Sequence, residues 1–355
     1  MGHRYIGTKT RIVNWVLEAV ASVCPDGGHV VDLMTGTATV ASALRDAGYR
    51  VTANDVMTYS YHHAAVALLL TETPVFASVA DEFEIETLVG GTYERVLYGL
   101  SNLPLLEGYF YREFSPEGRP ANGVKPRNYF TPDNAARIDA ARTWIRNAAA
   151  SGRLEPLEHS LLLHDLIMAA NDIANIAGTY GHYMSRTVDR ARSPLLLEPS
   201  PIVVPDADAG GHAVMQGYAE DVAPTLSADV CYIDPPYMKR QYAANYHVLE
   251  TLAREDEPEA VGASGLRPWR DQYSNFCTKT KIRDSFRRIL SSMDCPVFIV
   301  SYSEDGLLDL SSLRGLLEEF GTVTLQRFTH KRFKSNDSQL HPELEEYLLI
   351  LRKTA

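Results

Sequence analysis

The 355-residue sequence predicts an α/β fold: a mostly parallel sheet with helical crossovers, split by an inserted, mostly helical domain. Three observations carry this. The first hundred residues alternate short apolar runs with stretches of helical spacing. Between about Ser101 and Pro205 the buried-strand signals vanish. Near Ala213 the alternation resumes.

In chain order, His29-Val30-Val31-Asp32-Leu33-Met34 is an apolar run that ends at a turn. Thr37 to Ala47 then has helical spacing, with Gly48 as its C-cap. Arg50 to Asn54 is a second strand that ends at Asp55, and Tyr61 to Thr71 is an apolar helical stretch. Strand, helix, strand, helix is the pattern of parallel strands joined by crossovers. Phe110 to Phe114 leads into a Gly-, Pro- and Asn-rich loop from Ser115 to Asn128. Helical spacing follows over Pro132 to Ala150 and Glu155 to Ile176. Asp229 to Ile233 is an apolar strand ending at Asp234, and Pro296 to Ser301 is another. A helix from Gly306 to Phe320 follows, then a closing, antiparallel pair at Thr322 to Phe328 and Tyr347 to Leu351. The expected domains are residues 1–100 with 206–355, and the insertion 101–205.

Composition excludes several classes. Hydrophobic residues make up 45% and charged residues 22%, values of a globular chain with a substantial core. No apolar run approaches the roughly 18 residues of a membrane span. Met1-Gly2-His3-Arg4-Tyr5 lacks the apolar stretch of a signal peptide. Cys24, Cys231, Cys277 and Cys295 are far apart and form no CxxC pair. Neither a zinc site nor a disulfide framework is expected, nor any other metal site, and the thiols read as reduced, in a cytoplasmic protein.

The turn Asp32-Leu33-Met34-Thr35-Gly36-Thr37-Ala38-Thr39-Val40 brings small residues between a strand and a helix. Such a turn lets a ligand approach the backbone, and the helix start supplies free N–H donors. Asp55 ends the second strand 19 residues after Gly36, where a carboxylate can accept both hydroxyls of a ribose. With one glycine where a dinucleotide fingerprint has three, this turn alone is equally an ordinary tight turn.

Asp234-Pro235-Pro236-Tyr237 is more specific. Consecutive prolines cannot extend a central strand and they fix φ, so the backbone here is rigid. The tetrad holds a carboxylate, a proline carbonyl and an aromatic ring at the carboxyl edge of the sheet. That set suits alkylation of an exocyclic amine on a base. The Asp234 carboxylate and the Pro235 carbonyl can accept its two N–H bonds, leaving the nitrogen lone pair free to attack. Tyr237 can stack on the base, an interaction worth about 1–3 kcal/mol. A target inside a duplex must flip out to reach such a pocket.

On these residues the sequence resembles the D12 (Dam-like, alpha-group) DNA adenine N6-methyltransferases over most of its length. Arg4-Tyr5-Ile6-Gly7-Thr8-Lys9 is similar to that family's N-terminal motif, Asp32 to Val40 to its first cofactor motif, and Asp234 to Tyr237 to its catalytic motif. Arg240 to Thr251 is similar to an extension found in one branch. The resemblance implies a Rossmann-like class I methyltransferase sheet and S-adenosyl-L-methionine as cofactor. It implies cofactor contacts from Tyr5, Lys9, Asp32, Gly36, Asp55, Asp221 and Asp234, with catalysis at Asp234, Pro235, Pro236 and Tyr237. The insertion 101–205 would carry target recognition on double-stranded DNA, with a companion restriction endonuclease or defence subunit as partner. The sequence departs from the family at Met34, Ala38 and Met238, where a Phe, a second glycine and an Asn are usual. Ala38 is a mild change if its φ is negative.

The net charge of −11 runs against a DNA partner, yet local segments are basic. Arg119, Lys125 and Arg127 lie in the Gly/Pro loop; Lys239 and Arg240 follow the tetrad; Lys279, Lys281, Arg283, Arg287 and Arg288 form a third group. Arg327, Lys331, Arg332 and Lys334 form a fourth, with no acid between Gly321 and Asn336. Arg119, Lys125, Arg127, Arg240, Lys331, Arg332 and Lys334 are the candidate DNA contacts. His62, His63, His182 and Tyr183 read as packing or surface residues. Three rival readings stand beside adenine methylation: N4-methylation of cytosine by the same geometry, methyl transfer to an RNA or protein amide, where the tetrad more often begins with Asn, and a catalytically silent DNA-binding subunit.

Overall fold

The computed structural model describes residues 12–83, 90–121, 123–331 and 343–354. These pack as two compact units, one from residues within 9–56, 205–241 and 273–355, the other from residues within 57–204 and 242–272.

The first unit is built on a sheet of strands β1 (His29–Asp32), β2 (Arg50–Asp55), β3 (Ala213–Gln216), β4 (Val230–Ile233), β5 (Val297–Ser303), β6 (Gly321–Lys331) and β7 (Glu343–Lys353). Their order is β3-β2-β1-β4-β5-β7-β6. The first five run parallel, and β7 pairs antiparallel with both β5 and β6, so the closing pair expected from the sequence is present. Every residue of β4 and β5 is buried, which is why these strands read as unbroken apolar runs rather than as alternation.

Alternate side chains of the sheet enter one apolar cluster: Val31 and Leu33, Cys231 and Ile233, Phe298, Val300 and Tyr302, Leu349 and Leu351. Helix Ile282–Ser292 covers this face through Ile282, Phe286, Ile289 and Leu290, and helix Leu310–Glu318 adds Leu313, Leu316 and Leu317. The spacing of 4, 3 and 1 residues is one stripe of an α-helix. The group Lys279 to Arg288, read above as a basic segment, is thus largely the solvent side of an amphipathic helix. Arg287 pairs with Glu319 at 2.8 Å and Arg288 with Asp221 at 2.6 Å. Helix Val13–Val23 buries Val16, Ala19 and Val20, and it too is absent from the sequence reading.

Chain order reverses between β1 and β4. β1 runs beside β2 on one side and β4 on the other, with Asp32 in register with Tyr232. This is the switch point at which doubly wound sheets bind ligands.

The second unit is helical, and among its described residues no strand occurs. Its helices include Thr58–Leu69, Thr92–Ser101, Tyr109–Phe114, Pro132–Ala150, Pro156–Asp172 and His247–Ala253. Pro132 and Pro156 stand at the first helical positions, where the missing N–H costs nothing. Two helix starts are capped from far along the chain. Buried Glu250 accepts the amides of Thr58 and Tyr59, and buried Asp139 accepts those of Phe110 and Tyr111. Described residues within 57–100 and 242–272 pack in this unit, a wider grouping than the span 101–205 marked out by the loss of strand signals.

Candidate active site

The turn after β1 begins at Asp32, which is 1% exposed. Thr35 Oγ1 donates to Asp32 Oδ2 at 3.0 Å, the Thr35 amide to Asn54 O at 2.9 Å, and the Ala38 amide to Thr35 O at 2.9 Å. The Gly36 amide donates to Asp55 Oδ2 at 2.8 Å. Two residues of this turn are left-handed, Gly36 at φ 55° and Ala38 at φ 59°. The structure therefore corrects the supposition of a negative φ at Ala38. The chain must turn left-handed a second time to enter helix Thr39–Asp46, and alanine bears that conformation at roughly 1–2 kcal/mol.

Three strand ends are tied by one side chain that the sequence reading passed over. Asn54, on β2 and 1% exposed, donates through Nδ2 to Leu33 O at 3.0 Å and to Gly217 O at 3.1 Å. The Gly217 amide in turn donates to Asp55 O at 3.0 Å. The segments following β1 and β3 are thereby fixed against the end of β2.

The tetrad leaves the adjacent strand β4. Pro235 is buried; Asp234, Pro236 and Tyr237 are partly buried. The Tyr237 ring leans on Tyr302 of β5, with centroids 5.5 Å apart at 58°, and its carbonyl accepts the Leu307 amide at 2.9 Å. The segment beyond is pinned from the loop before helix Ile282–Ser292. Cys277 Sγ lies 3.3 Å from Arg240 O and 3.7 Å from Pro236 O. The Gln241 amide exchanges two hydrogen bonds with the Ser274 backbone, at 2.9 and 2.8 Å. Met238 follows the tetrad, where the family has Asn, and makes no contact that explains the change.

Electrostatically the edge is acidic. Burial raises the Asp32 carboxyl to about 7, the Thr35 hydroxyl opposes this, and the negative charges of Asp234 and Asp55 add to it. Asp32 Oδ1 is buried without a hydrogen-bond partner among the described residues. A buried carboxyl so placed holds either a proton or a neighbouring cation. S-adenosylmethionine brings a sulfonium, an ammonium and two ribose hydroxyls. A small-residue turn, an unsatisfied Asp32 oxygen and an acid at the end of β2 fit that group.

The structure thus brings Asp32, Gly36, Asp55 and Asp234 to one edge of one sheet. Asp221 lies on the short helix that follows β3; its exposed carboxylate pairs with Arg288 at 2.6 Å, and the buried acid beside it, Glu220, accepts from Ser285 Oγ at 2.7 Å. Tyr5, Lys9, Arg332 and Lys334 lie outside the described residues, and Lys331 is placed only as the last residue of β6. Arg119, Lys125 and Arg240 are exposed. Arg127 is not a DNA contact: it is 0% exposed, pairs with Glu113 at 2.8 Å, and donates to the carbonyls of Glu113 at 2.9 Å and Gly262 at 2.9 Å. A cation inside a polar loop looks the same in sequence whether it faces solvent or an inward acid. Here the acid is 14 residues away in the preceding helix.

Among the described residues no helix is long and apolar enough to cross a membrane, and no cluster of His, Cys, Asp and Glu is arranged to hold a metal. Compared with known proteins, residues 5–315 match the family described as D12 class N6 adenine-specific DNA methyltransferase. The chain is 31% identical over 362 residues to the Type II methyltransferase M.FokI of Planomicrobium okeanokoites, covering 99% of this chain and 52% of that protein. It is 29% identical over 360 residues to the Type II methyltransferase M.NlaIII of Neisseria lactamica, covering 99% of each. It is 29% identical over 352 residues to the Type II methyltransferase M.CviAII of Paramecium bursaria Chlorella virus 1, covering 98% of this chain and 97% of that one. The chain therefore spans about half the length of M.FokI and nearly all of the other two.

Proposed function

The chain belongs to the D12 class of N6 adenine-specific DNA methyltransferases, and from that premise we propose that it transfers a methyl group from S-adenosylmethionine to N6 of an adenine flipped out of duplex DNA. The observation that carries this is the pairing of β1 with β4, which sets the Asp32–Gly36 turn and the Asp234–Tyr237 tetrad at one edge of the sheet. By likeness to the Type II methyltransferases, the reaction is site-specific and serves restriction-modification in the cytoplasm, with a companion endonuclease as the natural partner.

When bound, S-adenosylmethionine supplies an electrophilic methyl group on a sulfonium. The Gly36 turn and Asp55 would hold it, with Asp55 as acceptor for the ribose hydroxyls and Asp32 answering its positive charge; Tyr5 and Lys9 are assigned there on sequence alone. Asp234 and the Pro235 carbonyl accept the two N–H bonds of the adenine amine, and Tyr237 stacks on the base. Both acceptors sit on a backbone fixed by two prolines, so little reorganisation accompanies the reaction. Asp234 orients the amine and is the nearest carboxylate for the proton that N6 gives up once it is alkylated. Partial burial of the tetrad keeps water from the charge that is neutralised.

The test is incubation with labelled S-adenosylmethionine and mixed-sequence duplex DNA, followed by nucleoside mass spectrometry. N6-methyladenine that disappears in Asp234→Ala, with cofactor binding retained in part, is the expected result. N4-methylcytosine would overturn the substrate base. Cofactor binding without any modified nucleoside would overturn the activity.

A further inference from the structure

Two connecting segments of the helical unit, from residues within 116–128 and 177–192, are sewn together by the buried Asn175 and the half-buried Asn128. Asn175, 0% exposed, donates through Nδ2 to Asn128 O at 2.8 Å and to Met184 O at 2.9 Å, and its Oδ1 accepts the Val188 amide at 3.0 Å. Its backbone joins both sides, donating to Tyr129 O at 2.8 Å and accepting from the Met184 amide at 2.8 Å. Asn128 Nδ2 adds a bond to Thr187 Oγ1 at 3.2 Å. Below them Tyr129 donates to Tyr180 O at 2.6 Å and packs edge-on against Tyr183 at 5.1 Å. A displacement of either loop would break this polar seam, so the two present one surface.

That surface is cationic in a chain whose net charge is −11. Arg119 and Lys125 are exposed on the first loop, Arg186 and Arg192 on the second. The exposed acids there are Glu117 and Asp189; Asp189 reaches Arg192 only at 3.9 Å, with both side chains largely in water. A pair of that kind contributes little and yields readily to a competing anion. Gly123 and Gly178 lie on the same loops, and nothing stands within 4 Å of where a Cβ would project from either. Backbone is therefore open to close approach beside the cations.

We propose that these joined loops are the DNA-docking surface of the helical unit, with Lys125, Arg186, Arg192 and Arg119 meeting backbone phosphates. The inference rests on the reading of the protein as a DNA methyltransferase and adds to it the place and the residues of contact. Arg186 and Arg192 take the part that Arg127, buried beneath, cannot.

The experiment compares Arg186→Glu/Arg192→Glu with a control of equal charge change, Arg314→Glu/Arg352→Glu, on exposed positions of the sheet unit. Binding of mixed-sequence duplex DNA is followed by fluorescence anisotropy between roughly 50 and 300 mM salt. Binding of S-adenosylmethionine is followed by calorimetry, and folding by thermal midpoint. The loop variant is expected to bind DNA at least about tenfold more weakly at low salt, with a log–log salt slope reduced by about 2. Its cofactor affinity and midpoint stay at wild-type values, and the control changes little. DNA affinity and salt slope equal to wild type, or a loss matched by the control, would overturn the surface. A wild-type protein that methylates no DNA would instead overturn the reading beneath it, and the two failures are told apart by that single assay.

Discussion

The side-chain amide of Asn54 donates to the carbonyl of Gly217 at 3.1 Å, joining the end of β2 to the turn after β3, and the same nitrogen reaches Leu33 O at 3.0 Å. One buried group therefore spaces three segments around the edge where the cofactor is proposed to lie. Asn54→Ala leaves both carbonyls without this donor. The expected cost is about 1–3 kcal/mol of stability. The more telling effect is on KM for S-adenosylmethionine, which should rise about tenfold while kcat at saturation changes severalfold less, because the Asp234 tetrad hangs from β4 and is untouched. Steady-state kinetics with melting curves check this. An unchanged KM beside a lowered melting point would make Asn54 structural only.

The parts legible in the sequence were those whose physics is local. β4 and β5 are buried on both faces, so they appear as apolar runs; two prolines after β4 announce a rigid edge; prolines at 132 and 156 mark helix starts. What escaped depends on contacts across long chain separations. Asn54 looks like any polar residue in a strand, and its partner Gly217 is 163 positions away. Glu250 caps a helix 192 positions earlier, so nothing beside it signals a cap. Arg127 shows the same limit in reverse, since its loop composition suggests exposure while Glu113 holds it inside. The helix Ile282–Ser292 was masked by its own charges, its apolar stripe being only four residues, Ile282, Phe286, Ile289 and Leu290, with basic and acidic residues between them.

The left-handed φ of 59° at Ala38 yields a second expectation. Replacing alanine by glycine usually loses about 1 kcal/mol at an ordered position. Here the folded state gains back the strain of the left-handed region, roughly 1–2 kcal/mol. Ala38→Gly should therefore leave stability unchanged or raise it by up to about 1 kcal/mol. It should also tighten S-adenosylmethionine, since a methyl group is removed from the turn. A thermal midpoint several degrees below wild type would contradict the conformation assigned to this turn.

Arg127 and Lys125, two positions apart, should separate stability from binding. Arg127→Ala takes from Glu113 its buried cation, leaving only the more exposed Arg112 at 3.1 Å, and frees three backbone carbonyls, a loss of about 3 kcal/mol. That should appear as a large drop in denaturation midpoint. The DNA salt slope of the folded protein should stay as in wild type. Lys125→Ala should do the opposite: no change in midpoint, and a salt slope lowered by about 1. Melting curves and salt titrations of both variants decide it. A changed slope in Arg127→Ala, with folding intact, would return Arg127 to the phosphate contacts.

Asp32 gives the molecule a pH dependence whose sign is fixed by its burial. Its folded-state pKa of about 7 lies above the unfolded value of 3.8, so the folded protein holds the proton more tightly. Below about pH 4 both states are protonated and the group has no effect; as pH climbs toward 7 the unfolded chain has released its proton and the folded one must follow. Stability from this site is therefore lost on raising pH through that window, with a slope of at most about 1.4 kcal/mol per pH unit. Asp32→Asn keeps an acceptor for Thr35 and removes the charge, so the cofactor-free variant should melt at the same temperature as wild type near pH 4 and above it near pH 8. The cofactor works against this trend, because a cation beside Asp32 favours the carboxylate. S-adenosylmethionine should thus bind wild type more tightly as pH rises from 6 to 8, releasing a proton, and bind Asp32→Asn with no such gain. Calorimetry in two buffers of different ionisation heat measures that proton directly. An affinity that falls with pH, or proton release that persists in Asp32→Asn, would show that another group carries the charge.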